Sequence, residues 1–342
     1  MNRKLSGRFV GTDSGKALAL AALLCLLAAA SLLAVALGTV RIPLSTILDA
    51  IFRFDGSRNH LLVVAVRLPR VIAALLAGSA LAVSGAIMQA ITNNPLASPG
   101  LLGINAGAAF AVVSIMTFFG AAVGDIYIWF AFLGAGIAAF AVTLLSSFGP
   151  IRHSPVGLIL AGAVVATFLT SLTSAVLIFD QSTLDAVRMW TAGSVTGRTM
   201  AQAATVAPYI AFGLIVSLFL GRHLTTLSLG ADTARSVGQN TALWRGVAIV
   251  TVILLAGGAV ALAGPIGFIG LIVPHIVRMA VSVDYRWIIP FSALGGALLV
   301  VGADMAGRMV FGSQNFPVGV TIALVGAPFF LWLARNRMRG ET

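Results

Sequence analysis

Few residues in this chain are of a type that does chemistry, and they stand apart from one another. His275 ends the stretch "GPIGFIGLIVPHIVR" (264–278), and a histidine in so apolar a run raises a metal or proton-relay reading. No second His, Cys or carboxylate stands at ligand spacing from it, so packing or hydrogen bonding near Arg278 accounts for it better. Cys25, the one cysteine, lies inside the first apolar run and can neither close an intrachain disulfide nor hold a metal alone. "GTDSGKA" (11–17) mimics a phosphate-binding loop, but that motif needs four residues between its glycines and Ser or Thr after the lysine. Here three intervene and Ala17 follows, so the stretch reads as a polar tail. No catalytic, cofactor-binding or metal-ligating set emerges.

Carboxylates are the other candidates. The chain has 10 Asp and Glu, and none falls inside the expected apolar spans; charges sit at the span ends. Ion-coupled carriers place ionisable groups or ion-binding backbone breaks within the membrane. The lack of carboxylates counts against a proton-coupled carrier and less strongly against a sodium-coupled one. If solute moves uphill, the energy must come from another polypeptide.

The elements that position these residues are membrane helices. Hydrophobic residues make up 59% of the chain and charged residues 9%, against about 25% in a soluble domain. Long Ala, Leu, Gly and Val runs without period-two alternation exclude a barrel. Apolar segments at 17–38, 70–91, 98–119, 126–147, 155–179, 203–221, 246–263, 265–281, 287–303 and 317–334 predict an all-α integral membrane protein of ten transmembrane helices in one domain, 1–342. The first run, 22 residues long, exceeds a signal-peptide core and reads as an uncleaved span behind a cytoplasmic tail, 1–16. The net charge of +11 is scattered over segment ends, which excludes a nucleic-acid face and fits orientation signals beside membrane lipid. With the N-terminus inside, inner segments hold 13 of the 21 Lys and Arg and outer segments 8. Five of those eight crowd the outer loop 39–70, against the rule. In the same loop "IPLSTILDAIF" (42–52) predicts a short interfacial helix with Ser45 as N-cap and Ile47, Leu48 and Ile51 on one face. A plain surface helix and a partner-binding one fit it equally.

An internal match gives the break at 264–278 a place. "LLAGSALAVSGAIMQAITNNP" (75–95) aligns without gaps on "LLAGGAVALAGPIGFIGLIVP" (254–274), identical at nine of 21 positions. The copies start five spans apart and so run in opposite directions, an inverted repeat of spans 2–5 and 7–10. Its small residues predict close helix approach, and the broken segment predicts burial in protein or along a cavity rather than against lipid. The longest inner connection, 222–245, contains "ADTARSV" bracketed by Gly230 and Gly238. It predicts a short helix with Ala231, Ala234 and Val237 on one face, either a docking knob or a solvated connector.

Four stretches carry a resemblance: "RLPRVIAALLAGSALAVSGAIMQAITNNPLASPGLLGINAGA" (67–108), "LSLGADTARSVG" (227–238), "GPIGFIGLIVPHIVRM" (264–279) and "GADMAGRMVFGSQNFPVGVTIALVGAPFFLWL" (302–333). With them the chain resembles, from about residue 20 to 338, the permease subunits of iron–siderophore, haem and vitamin B12 ABC importers, the FecCD family. Among these it is most similar to catecholate-siderophore permeases. The resemblance implies a bacterial inner-membrane protein with both termini in the cytoplasm. It also implies two permease subunits, identical or paralogous, around the pathway. Two ATPase subunits would carry the ATP and Mg, with no cofactor in this chain, and an extracytoplasmic solute-binding protein would deliver substrate. By the same resemblance Arg67 and Arg308 dock carboxylates of the binding protein, a task suited to the planar guanidinium fork. Asn94 and Leu96 form the inner gate together with Ser154, whose loop departs from the family pattern, and Gly230, Ala234 and Gly238 seat on the ATPase. A self-sufficient secondary transporter and a non-transporting membrane scaffold are the rivals from other classes.

Overall fold

A helix at each expected span, three of them short, is the main outcome. The computed structural model describes residues 12–38, 40–120, 125–148, 155–179, 181–312 and 315–338, and among these every regular element is helical. Seven helices are long and apolar enough to cross a membrane: α1 (Asp13–Ala36), the run Arg58–Thr92, α6 (Ile126–Leu145), α7 (Pro155–Phe179), α9 (Met200–Leu227), α11 (Thr241–Ala263) and α13 (Tyr285–Phe311). Three shorter apolar helices stand at the other three expected spans: α5 (Ile104–Phe119), α12 (Ile269–Ala280) and α14 (Val318–Met338, apolar over Val318–Phe329). The chain is a multi-pass membrane protein.

The run Arg58–Thr92 comprises α3 (Arg58–Leu61), one π turn (Leu62–Arg67) and α4 (Leu68–Thr92). The π turn, in which Leu68 N–H bonds back to Val63 O, lies just before Pro69, which has no N–H to donate. From Ala77 to Thr92 every residue of α4 is buried, and α13, α11, α9 and α12 surround it. Its Ala/Gly/Ser composition makes that possible. A Cβ on Gly78 would overlap the Gly296 carbonyl, and one on Gly85 would overlap the Gly270 carbonyl. Backbone therefore meets backbone, as small residues allow in lipid. Gly107 of α5 and Gly134 of α6 repeat the arrangement away from α4.

The two copies of the internal match run antiparallel, as expected: Thr92 at the end of α4 and Thr241 at the start of α11 line the same cavity. Their paths differ. α4 passes through Gly85 unbroken, whereas α11 stops at Ala263 and the chain bends at Gly264, φ +73° and ψ −179°. α12 then starts at Ile269 and has 12 residues, about 18 Å of the roughly 30 Å hydrocarbon core. The irregular backbone is covered by protein at Gly264 and Ile266, while Gly267 is exposed. Residues 192–199, which follow α8 (Gln181–Thr191), pack against the break: Ser194 N–H donates to Ala263 O at 2.8 Å, and Gly319 N–H to Gly193 O at 2.9 Å.

Several local expectations are corrected. The tail 1–16 ends earlier, because Thr12 caps α1 by accepting from Gly15 N–H, so the phosphate-loop mimic is a helix N-cap from Thr12 onward. The outer-loop helix is α2 (Leu44–Phe52), with Pro43 at the N-cap position, no side-chain cap bond, and Ser45 inside the first turn. It buries Ile47 and Ala50 and leaves Leu48 and Ile51 exposed. The connection 222–245 shrinks to 228–240, since α9 continues to Leu227 and α11 begins at Thr241. Polar residues with good helical hydrogen bonding carried both helices past the apolar window that defined the spans. The largest correction concerns carboxylates. Asp304, one residue beyond the expected span end at 303, lies within α13 and is buried.

Candidate functional site

The two ends of the bundle hold the polar groups, and they are built differently. At the end that carries α2, the side chains of Arg67, Arg70, Asp304 and Arg308 converge. Arg70 comes from the first turn of α4, and its Nε and Nη2 grip the Asp304 carboxylate at 2.7 to 3.1 Å. Arg308, one turn after Asp304 on α13, lies 3.3 Å from its Oδ2. Arg67 is 4% exposed and Arg308 8%, and their other N–H groups meet the last carbonyls of α1. The sequence reading expected these two arginines to face outward. The structure keeps them at that end but buries them, so an incoming carboxylate would have to displace main-chain carbonyls to reach either one. Asp304 was missed because the hydropathy window closed at 303. The signal available was its spacing of four from Arg308, which puts both on one helix face.

At the opposite end, α10 (Ala231–Ser236) forms a short projection between α9 and α11. Gly230 precedes it at φ +107° and Gly238 follows at φ +79°, so both bracketing glycines occupy backbone space that other residues rarely adopt. Ala234 is fully buried, packed downward as the anchor of α10. The outward surface is instead Leu229 and Val237, 66% and 68% exposed, with the Asp232–Arg235 pair beside them at 3.3 Å. Gln239 ties the return: its N–H donates to Ala234 O and its Nε2 to His223 O. His223 stacks on Trp244 with ring centroids 3.4 Å apart, joining the end of α9 to the start of α11. On the other side of α9, Thr225 Oγ1 lies 3.0 Å from Asp284 Oδ1, at the N-cap of α13. Burial alone would raise the Asp284 carboxyl, but hydrogen bonds from Arg286 and Thr225 outweigh it and hold the group below the usual carboxylate range.

The expected gate turn lies next to this module. α4 ends at Asn93, in the left-handed region at φ 51°, where asparagine is tolerated. With its amide NH2 turned inward, Asn93 donates to Ser228 O at 2.8 Å and Leu227 O at 3.2 Å, the carbonyls that lead into α10. Asn94 Oδ1 accepts from Leu96 N–H at 2.9 Å and closes the turn, leaving Leu96 exposed. Ser154 lies outside the described residues. Asn93 is the residue that sequence reasoning passed over here.

Between the two ends, one buried polar link serves the broken helix. Pro274, inside α12, cannot donate to Gly270 O, and Gln89 Nε2 of α4 fills that place at 2.9 Å. Arg278 in turn hydrogen-bonds Gln89 Oε1. His275 packs edge-on to Phe329 of α14, ring centroids 6.5 Å apart. Among the described residues, no three His, Cys, Asp or Glu gather as a metal site would require.

Known proteins share this architecture along its length. A probable siderophore transport system permease, YfiZ of Bacillus subtilis, is 41% identical over 94% of this chain and 97% of its own. The iron(3+)-hydroxamate import permease FhuB of the same organism is 43% identical over 95% of this chain and 85% of its own. A solved structure described as an inward-facing metal-chelate type ABC transporter superposes with a TM-score of 0.79 at 26% identity, covering 94% of this chain and 99% of the other. The profile of the FecCD transport family matches residues 23–336, and the chain belongs to that family.

Proposed function

We propose that this chain is the membrane permease subunit of an ATP-driven importer that carries a ferric siderophore or related metal chelate into the cytoplasm. The observation that carries the reading is the full-length likeness, in sequence and fold, to iron-chelate permeases and to a metal-chelate ABC transporter. The similar identities to a siderophore and an iron(3+)-hydroxamate permease favour an iron chelate as the cargo class, with haem or vitamin B12 the alternative within the family. In this reading the α10 end and both termini face the cytoplasm of a bacterial cell, and the α2 end faces the binding protein.

Each end has a task under this reading. α10 seats on a separate ATPase subunit that holds the ATP and Mg, and no bond chemistry falls to this chain. Gly230, Ala234 and Gly238 shape α10 from within while Leu229 and Val237 offer the contact. Asn93 passes a shift of the α9–α10 junction to the gate turn at Asn94 and Leu96, with Ser154 as its neighbour by family likeness. Nucleotide binding on the partner changes the populations of inward- and outward-open states. A second permease subunit closes the pathway. α7 suits such a contact, or lipid, with Val156, Leu160, Val164 and Phe168 exposed in one stripe of spacing four.

The test is uptake of a ferric chelate into vesicles holding this chain with and without the ATPase and the binding protein. Accumulation is expected only in the complete system. Accumulation by the chain alone in energised vesicles would instead establish a secondary transporter. In the complete system Ala234→Glu, which drives a charge under α10, is expected to lower uptake and stimulated ATP hydrolysis at least about tenfold. Full coupling in that variant would move the contact off α10.

A further inference from the structure

α1 ends without a cap of its own. Leu37, the residue after its last turn, is extended, at φ −90° and ψ 136°. The final carbonyls of a helix have no intrahelical partner and need one from elsewhere. Two guanidinium groups supply it. Arg67 Nη1 donates to Val35 O at 2.6 Å and Ala36 O at 3.0 Å, and its Nη2 to Val40 O at 2.5 Å. Arg308 Nη2 donates to Ala34 O and its Nη1 to Leu37 O, each at 3.3 Å. Every carbonyl from Ala34 to Leu37 thus meets an arginine, and Gly38 leaves the space: a Cβ there would stand 2.8 Å from Arg67 Nη2.

The charges in this cluster do not balance. Among the described residues the cluster holds three guanidinium groups and one carboxylate: Asp304 pairs with Arg70 and Arg308, while Arg67 donates to main-chain carbonyls. The partial negative charge at the C-terminus of α1, roughly half a unit, offsets only part of the surplus. Carbonyl oxygens are also the weaker acceptors, because a carboxylate adds its own negative charge and can take two parallel N–H bonds from the guanidinium fork. An arriving carboxylate therefore has both a charge and a bond-strength advantage over the carbonyls of α1.

We propose that Arg67 and Arg308 form an exchange latch. They hold the C-terminus of α1 while no binding protein is docked, and they transfer to its carboxylates on docking, which releases that terminus. Asp304 and Arg70 are positioning residues: the buried ion pair between them keeps Arg308 beside α1 and ready to turn. The latch rests on the docking reading of the two arginines and adds a consequence to it. α1 runs the height of the molecule, and its first turn places Lys16 Nζ 5.5 Å from the Trp287 ring centroid on α13. Release at one end thereby gives the far end a mechanical notice of docking.

Hydrogen exchange at the amides of Leu37 and Ile42, which bond to Leu33 O and Ala36 O, reads the latch directly. The measurement uses the permease–ATPase complex in lipid nanodiscs, with and without the binding protein that supports uptake. Docking should accelerate exchange over 37–42 by about tenfold or more, as local opening does. Mere coverage by a docked protein would slow it. Asp304→Asn should raise exchange there without any binding protein, and Asp304→Glu should restore slow exchange in part. The wild-type comparison decides the matter even if Asp304→Asn fails to fold. Association with exchange unchanged or slowed overturns the latch while the docking reading stands. No association at all removes the docking reading, and the latch falls with it.

Discussion

Residues 75–95 and 254–274 share nine of 21 positions and fold in two ways. The first is a continuous buried helix through Gly85; the second is broken at the matching Gly264. The deciding difference is the next residue, Ala86 in one copy and Pro265 in the other. A residue before proline is driven out of the helical region, and Gly264 leaves it at a positive φ that residues with a side chain rarely adopt. The two copies then need each other. Pro274 leaves Gly270 O without its helical donor, and the unbroken copy supplies one from Gln89. The gap left by Gly85 admits the start of α12. A break at membrane depth is stable here because its neighbour brings both the space and the donor.

Moving the proline between copies should have the largest effect. Ala86→Pro removes a hydrogen bond inside the most enclosed helix and drives a ring against the preceding turn, at about 3 kcal/mol or more. Thermal unfolding in detergent should show a large loss of stability or no folded protein; a wild-type melting curve would mean that α4 already tolerates a break. Next is the polar link. Gln89→Leu leaves Gly270 O buried without a donor, an expected loss of about 1–3 kcal/mol. Adding Pro274→Ala returns a main-chain N–H to that carbonyl and should recover part of the loss, which a double-mutant cycle measures as coupling. Strict additivity of the two changes would show that Gln89 does not substitute for the missing helix bond. The smallest stability effect belongs to the end of the unbroken copy, Asn93, which matches Ile272 inside α12. Asn93→Asp keeps a residue suited to the left-handed turn but cannot donate to Leu227 and Ser228, so stability should fall by under about 1 kcal/mol. Uptake by the complete importer should fall several-fold, and retained uptake would remove Asn93 from the transmission path.

Much of this was legible because lipid is a strict solvent. Each of the ten expected apolar runs corresponds to a helix, though three of those helices are short, and the small-residue repeats pointed to helices that touch. The glycine-bracketed helix at 231–236 was also visible, since its turns require that residue. Which face of that helix is buried was not. Ala231, Ala234 and Val237 share a helical spacing, yet only Ala234 is buried, because the ends of α9 and α11 decide what lies beneath. Asp304 escaped for a related reason: a hydropathy window registers a charge as the end of a span, whereas a buried arginine partner lets the helix carry it onward.

The sequence by itself determined the membrane class, the positions of the helices, the opposed direction of the two copies and the sites of the breaks. These follow from local terms, the apolar content of each run and the backbone limits of glycine and proline. Only the tertiary structure decided which polar groups serve which orphaned carbonyls: Gln89 for Gly270, Ser194 for Ala263, and Arg67 and Arg308 for the end of α1. Those partners lie from 27 to 274 residues apart in the cases of Arg67 with Val40 and Arg308 with Ala34. A guanidinium carries the same charge wherever it sits, so its spacing in the chain does not reveal whether water, a carboxylate or a helix end receives its hydrogen bonds; that is settled by which helices pack side by side.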